Sequence, residues 1–210
     1  MISKKPSIDT KKTGTSQLEF ILLMACLMSI VALSIDTILP ALKPIGLSVG
    51  TTSAGENQLL ITMIFLGLGL GPLLFGPLSD AIGRKPSVYI GFGVFLLASS
   101  LCVNATSLEI MILGRILQGI GLSAPRTICI AIIRDLYQGD YMARIMSFVT
   151  IVFLLIPIVA PAMGKFVLDS YSWQAIFYVQ AAIGVLVTIW FWIRQKETLA
   201  PSNRIPFEFH

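Results

Sequence analysis

The sequence predicts an all-α integral membrane protein of six transmembrane helices. Three observations carry that prediction. Only 12% of the 210 residues are charged, against 55% hydrophobic, and mean hydropathy is +0.84. A soluble domain carries roughly 25% charged residues, so this chain has too few to cover a water-facing surface. Six apolar segments stand out, at about 19–40, 57–76, 87–104, 108–133, 143–167 and 174–193, each long enough to cross ~30 Å of hydrocarbon. Finally, the charge of the connections alternates along the chain.

The elements follow in order. Residues 1–18 form a basic N-terminus carrying Lys4, Lys5, Lys11 and Lys12. The first apolar run, Phe20 to Leu39, is longer than a signal peptide's core and lacks a small-residue cleavage site, so it reads as a span and not a cleaved leader. The second segment holds Gly67 and Gly71, small residues that let helix backbones approach where no hydrophobic force drives association. A short charged hinge, Gly76 to Pro86, separates it from the third, and Pro86 suits the first turn of the next helix. The fourth segment holds Gly114, Gly119 and Gly121; the fifth holds Pro157 and Pro161, which can bend a helix. Tyr171 and Trp173 fit an aromatic belt on one face of the membrane, and Trp190 and Trp192 a belt on the other. The transmembrane unit is placed at 19–199, with a tail at 200–210.

Basic residues mark the orientation. Lys4, Lys5, Lys11, Lys12, Arg84, Lys85, Arg134, Arg144, Arg194, Lys196 and Arg204 fall on one side, and Lys43 and Lys165 on the other. The positive-inside rule then puts both termini in the cytoplasm. The formal net charge of +4 is an orientation signal and not a nucleic-acid patch, so no nucleic-acid partner is expected. The lipid bilayer is the expected surrounding.

Several chemistries find no support. Cys26, Cys102 and Cys129 sit in apolar runs without metal-like spacing, and His210, the one histidine, ends the chain. No nucleophile elbow or phosphate loop appears, so neither an enzyme nor a metal or organic cofactor is expected.

Three charges lie inside apolar segments: Asp36, Arg115 and Arg126. Each costs at least ~2.5–3.5 kcal/mol at a helix centre, so such groups usually face a cavity or a partner. Asp36, four residues before Pro40, and Arg115, six after Glu109, lie about 6 and 9 Å below the outer ends of their helices, so they can meet if the first and fourth helices face each other. Asp36 shares a helical stripe with Ala25, Ser29 and Ala32; Arg115 shares one with Gly119, Leu122 and Arg126, flanked by Gln118. Two readings of the pair stand: a static tie that fixes packing, or a proton switch in which the carboxylate leaves its arginine for a drier setting and binds a proton. Arg126 fits either a substrate path or a snorkelling anchor.

These residues also carry a resemblance. Gly76, Leu78, Ser79, Asp80, Gly83, Arg84 and Lys85 spell G-x-L-S-D-x-x-G-R-K, which resembles the loop signature between helices two and three of major facilitator transporters. Asp36 to Leu42 is similar to the D-x-x-L-P-A-L ending of helix one in the Bcr/CflA drug-resistance subfamily, and Arg115 to Gly121 to the superfamily's R-x-x-Q-G-x-G. Arg134 to Tyr137 and Glu197 to Leu199 resemble the subfamily's R-D-L-Y and E-T-L. The antiporter signature G-x-x-x-G-P-x-x-G falls on Ile156 to Gly164; Pro161 and Gly164 match, while Ile156 and Ala160 replace glycines.

The resemblance implies the N-terminal half of a major facilitator fold, built as two three-helix inverted repeats. It also implies proton-coupled efflux of drugs or other small amphipathic compounds across a bacterial inner membrane, with the proton gradient as energy source. Asp36 and Arg115 would couple protons. Gly76, Asp80, Gly83, Arg84 and Lys85 would form a cytoplasmic gate loop, Gln118 and Arg126 would lie on the substrate path, and Pro157, Pro161 and Gly164 would bend helix five. The family has twelve helices with substrate between two halves, so transport would need a second six-helix half, from another copy or a separate chain. A sugar or metabolite carrier of the same superfamily is an alternative, as is a truncated, non-transporting remnant whose tail after Ala200 is foreign.

Overall fold

The structure, a computed structural model, describes residues 16–51 and 53–205, apart from the side chain of Asn203. Lys4, Lys5, Lys11, Lys12 and His210 lie outside the described residues. Helices follow one another as α1 (Gln17–Asp36), α2 (Leu42–Ser48), α3 (Ala54–Ile82), α4 (Arg84–Val103), α5 (Leu108–Leu136), α6 (Gly139–Ser170) and α7 (Trp173–Arg194), with 3-10 turns at Leu39–Ala41 and Pro201–Asn203. Six helical spans are long and apolar enough to cross a membrane, α1 and α2 counting together as the first. No strand occurs among the described residues.

The helix starts are set locally. Ser16 accepts a hydrogen bond from the Glu19 amide and Ser107 from that of Ile110, occupying amide groups that a helix N-terminus leaves without partners. Ser53 and Glu56 form a reciprocal capping box at the start of α3.

Several segment edges move. The first helix ends at Asp36 and the chain goes on through a 3-10 turn into the short α2, which carries Lys43. Helix α3 continues to Ile82, through Pro72 and Pro77, so Gly76 and Asp80 are helical and Gly83 alone separates α3 from α4. The expected gate loop is therefore two abutting helix ends. Polar composition there suggests a loop, yet a helix that reaches the membrane edge accepts charge without breaking. Arg134 and Arg144, expected in a connection, likewise sit within α5 and α6.

The packing has a two-fold pattern. The heaviest contacts are α5 on α3, α5 on α4 and α1 on α6. Exchanging α1, α3 and α4 for α5, α6 and α7 maps the α3–α5 pair onto α6–α1, α4–α5 onto α7–α1, and α3–α4 onto α6–α7; all six pairs are in contact. The exchanged helices run in opposite directions, which makes these two three-helix repeats inverted.

The end of the bundle holding the start of α1 carries Arg84, Arg134, Arg144 and Arg194 and is here called the basic end. Towards it lies a core around Phe20, Met24, Phe92, Ile132 and Phe191; towards the opposite end lies a second, around Ile38, Ile45, Met111, Trp173 and Phe177. Trp173 is buried there and edges onto Phe177 at 6.1 Å, so it fills the core instead of joining an aromatic belt. Tyr171 and Trp192 are exposed, as a belt requires. Helix α6 turns Ile151, Leu154, Leu155 and Ile158 outward. Such a face suits hydrocarbon, and six spans of this kind in one bundle make the chain a multi-pass membrane protein.

Candidate functional site

At the basic end the start of α4 is held by charge. The Arg84 guanidinium donates to Asp80 at 2.6 Å, to the Ser79 hydroxyl at 2.8 Å and to Asp135 of α5 at 3.1 Å. The main-chain amides of Arg84 and Lys85 each donate to the Glu197 carboxylate at 3.0 Å. Glu197 thus caps α4 from beyond the end of α7, where a negative charge also meets the helix dipole favourably. Gly83 has φ +113, and a Cβ there would sit 2.8 Å from Glu197 Oε2, so the turn needs glycine twice over. Thr198 donates to Asp135 at 2.9 Å, and the Ile205 amide to the Asp80 carbonyl at 3.1 Å. Lys85 reaches the Trp192 carbonyl at 3.2 Å.

Toward the opposite end Arg115 is completely buried. It donates to the Leu60 carbonyl at 3.1 Å, the Ser34 carbonyl at 3.2 Å and Gln118 Oε1 at 2.7 Å, and lies 6.0 Å over the Phe177 ring. Gln118 passes the network on to Ser99 at 2.8 Å. Three neighbouring helices are therefore bound to α5 by one guanidinium and its amide partner.

The expected Asp36–Arg115 ion pair is not formed. Arg115 reaches the main chain of Ser34, two positions before Asp36, while Asp36 is half-buried with no hydrogen bond or ion pair among the described residues. Carbonyl oxygens and Gln118 satisfy the arginine in its place. Ala25, Ser29 and Ala32 are buried, as the small-residue stripe of Asp36 predicts. Next to Asp36, Thr37 accepts from Gln180 of α7 at 2.6 Å, and its carbonyl lies against Gly164 of α6.

A cleft of about 520 Å³ opens between α3 and α5, lined by Leu68, Pro72, Gly76, Ser79, Asp80, Arg84, Ser123, Arg126, Thr127, Ile130, Ala131, Arg134 and Asp135. Its size falls in the range of small-molecule pockets, roughly 300–1,000 Å³. Arg126 is exposed into it, about 15 Å inside the Leu136 end of α5. Gln118, expected beside Arg126, is fully buried in the Arg115 network and does not line this cleft. Helix α6 passes through Pro157 and Pro161 as one continuous helix, and Gly164 serves as its contact with Thr37.

The sequence alone groups Ser79, Asp80, Gly83, Arg84 and Lys85, and the structure adds Asp135 as a partner of Arg84 and Gln180 as a partner of Thr37. The Arg-Asp-Leu-Tyr and Glu-Thr-Leu stretches did signal Asp135 and Glu197, without saying which groups they would meet. The buried Gln180 had no motif to mark it.

Comparison with known proteins gives the geometry its context. Residues 24–208 match the Major Facilitator Superfamily. The chain is 31% identical over 191 residues to a bicyclomycin resistance protein homolog of Haemophilus influenzae, covering 91% of this chain and 48% of that protein. It is 33% identical over 196 residues to an uncharacterized MFS-type transporter of Bacillus subtilis, and 30% identical over 190 residues to the multidrug resistance protein MdtL of Salmonella choleraesuis. These alignments cover 92% and 88% of this chain and 48% and 47% of the relatives. The chain therefore spans about half the length of the curated relatives it matches. The solved structure of the human organic anion transporter MFSD10 shares the fold, with a TM-score of 0.68 at 15% identity over 91% of this chain and 50% of that one. The resemblance to the Bcr/CflA subfamily is borne out by relatives that carry its name, and the chain belongs to the Major Facilitator Superfamily.

Proposed function

We propose that this chain is the N-terminal six-helix half of a proton-coupled carrier that exports drugs or similar small amphipathic compounds. The observation that carries the proton coupling is Asp36: a half-buried carboxylate inside a span, with no ion pair among the described residues, at a helix end that α6 and α7 hold through Thr37. A carboxylate so placed binds and releases a proton as its surroundings dry or wet. The relatives named for bicyclomycin and multidrug resistance support the drug class. The side-by-side Arg84, Asp80 and Asp135 at the basic end support a gate that changes partners as one half rocks against another.

In this reading the basic end faces the cytoplasm of a bacterium, in agreement with the positive-inside rule, and the proton gradient supplies the energy. A second six-helix half, from a further copy or another chain, completes the substrate cavity. The test is drug accumulation in cells lacking their own efflux pumps, with the 210-residue chain expressed and its insertion verified. Accumulation should fall, recover with a protonophore, and recover in Asp36→Asn. Unchanged accumulation despite good insertion would mean that the chain carries nothing by itself.

A further inference from the structure

The cleft between α3 and α5 holds three guanidiniums against two carboxylates: Arg84, Arg126 and Arg134 against Asp80 and Asp135. Both carboxylates are bonded to the same arginine, Arg84, and Thr198 adds a further donor to Asp135. Arg126 has no hydrogen bond or ion pair among the described residues. It also lies two helical turns deeper than Arg134, about 12 Å, well away from the carboxylates at the mouth. A charge at that depth is costly unless it meets water or an opposite charge. The walls beside it are mixed: Leu68, Pro72 and Ile130 are apolar, and Ser123 and Thr127 add hydroxyls.

We infer that Arg126 is an anion-binding residue, and that the cleft takes an amphipathic anion, its carboxylate, sulfonate or phosphate on the guanidinium and its apolar part against Leu68 and Pro72. A planar guanidinium matches such oxoanions with two parallel donors. This inference rests on the carrier reading for its biological meaning, since it names a substrate class for that same bundle. The binding chemistry stands on the cleft alone. Two sources share the chemistry: a soluble amphipathic anion, and the headgroup of an anionic lipid.

The experiment compares three probes with one fluorophore and different charge: dansylglycine, its methyl ester and dansylcadaverine. Each is titrated onto the intact chain in phosphatidylcholine nanodiscs, with empty discs subtracted. Dansylglycine should bind about tenfold more tightly than the ester, the gain expected of one charge-assisted contact. Arg126→Gln should bring it down to the level of the ester, while Arg126→Lys should keep part of the preference. Discs containing phosphatidylglycerol separate the sources: displacement of dansylglycine assigns the site to lipid headgroups, and retention assigns it to soluble anions. Equal binding of acid and ester overturns the inference, as does a preference that survives Arg126→Gln, or no binding of any probe. Tight binding of the ester and the cation without preference for the acid would sink the anion site and leave the drug-carrier reading intact.

Discussion

Gly67 of α3 and Gly119 of α5 meet backbone to backbone: a Cβ on either would run into the other helix's main chain, at the Ile116 and Ile64 carbonyls. This contact lies within the most heavily packed helix pair in the bundle. Without a hydrophobic drive between helices in lipid, such closeness is what lets dispersion and polar contacts hold them.

Replacing Gly119 by valine should accordingly push α3 and α5 apart and cost about 1–3 kcal/mol, the range for overpacking. Gly69 offers the control, because a Cβ there meets nothing within 4 Å. Gly69→Ala should stay within about 0.5 kcal/mol of the parent. Reversible unfolding in mixed dodecyl sulfate micelles, followed by far-ultraviolet circular dichroism, measures both. Equal losses would mean that the close approach is unimportant.

The cap on α4 makes a second pair of expectations. Glu197→Ala removes the acceptor for the Arg84 and Lys85 amides and should cost about 1 kcal/mol, as lost helix caps do. Gly83→Ala forces a backbone that only glycine adopts without strain, at about 1–3 kcal/mol. In the double variant the two losses should not add, because they act on one junction. Full additivity, read from the same unfolding curves, would separate the glycine from the cap.

Arg115 should be the most sensitive polar position. Arg115→Met removes three hydrogen bonds from a charged donor, to the Leu60 and Ser34 carbonyls and to Gln118 Oε1, and hydrogen bonds to charged groups contribute about 1.5–3 kcal/mol each. A loss of at least about 3 kcal/mol, or failure to fold, is expected. Arg115→Lys keeps the charge but not the fork of donors, and should recover less than half of the loss. Full stability in the lysine variant would mean that charge, and not geometry, is what the site requires.

Asp36 should behave in the opposite way. Among the described residues it has no partner to lose, so Asp36→Asn should change stability by less than about 0.5 kcal/mol while abolishing any protonophore-sensitive efflux. A destabilisation above about 1.5 kcal/mol would show a tie to Arg115 or another cation, and would return the residue to the static reading.

Depth was legible in the sequence, and azimuth was not. Counting residues from the ends of α1 and α5 brought Asp36 and Arg115 to similar depth, and the structure does put Arg115 against the last turn of α1, at Ser34. The partners it chose there are main-chain carbonyls. Every residue carries one, so no residue type announces it. Gln118 was visible as a polar neighbour of Arg115, but whether it faced the cleft or the core depended on where Ser99 of α4 would stand. The six spans were plain because apolar length alone decides them. Their ends were not, since the polar stretch before Gly83 suits a helix at a membrane edge as well as a loop. Trp173 shows the same ambiguity: an aromatic residue near a span end fits the interface or the core, and only the ring of Phe177 beneath it decides.

The reach of Glu197 across the chain has a consequence in time. A polypeptide is made from its N-terminus, and domains generally fold in the order of their synthesis. Helix α4 is complete long before the carboxylate that closes its first turn exists, for the two are 113 positions apart. Until α7 has been threaded and the chain beyond it has emerged, the junction at Gly83 is a turn with exposed amides. The first repeat is thus born unfinished, and its last stitch is tied by the tail of the second.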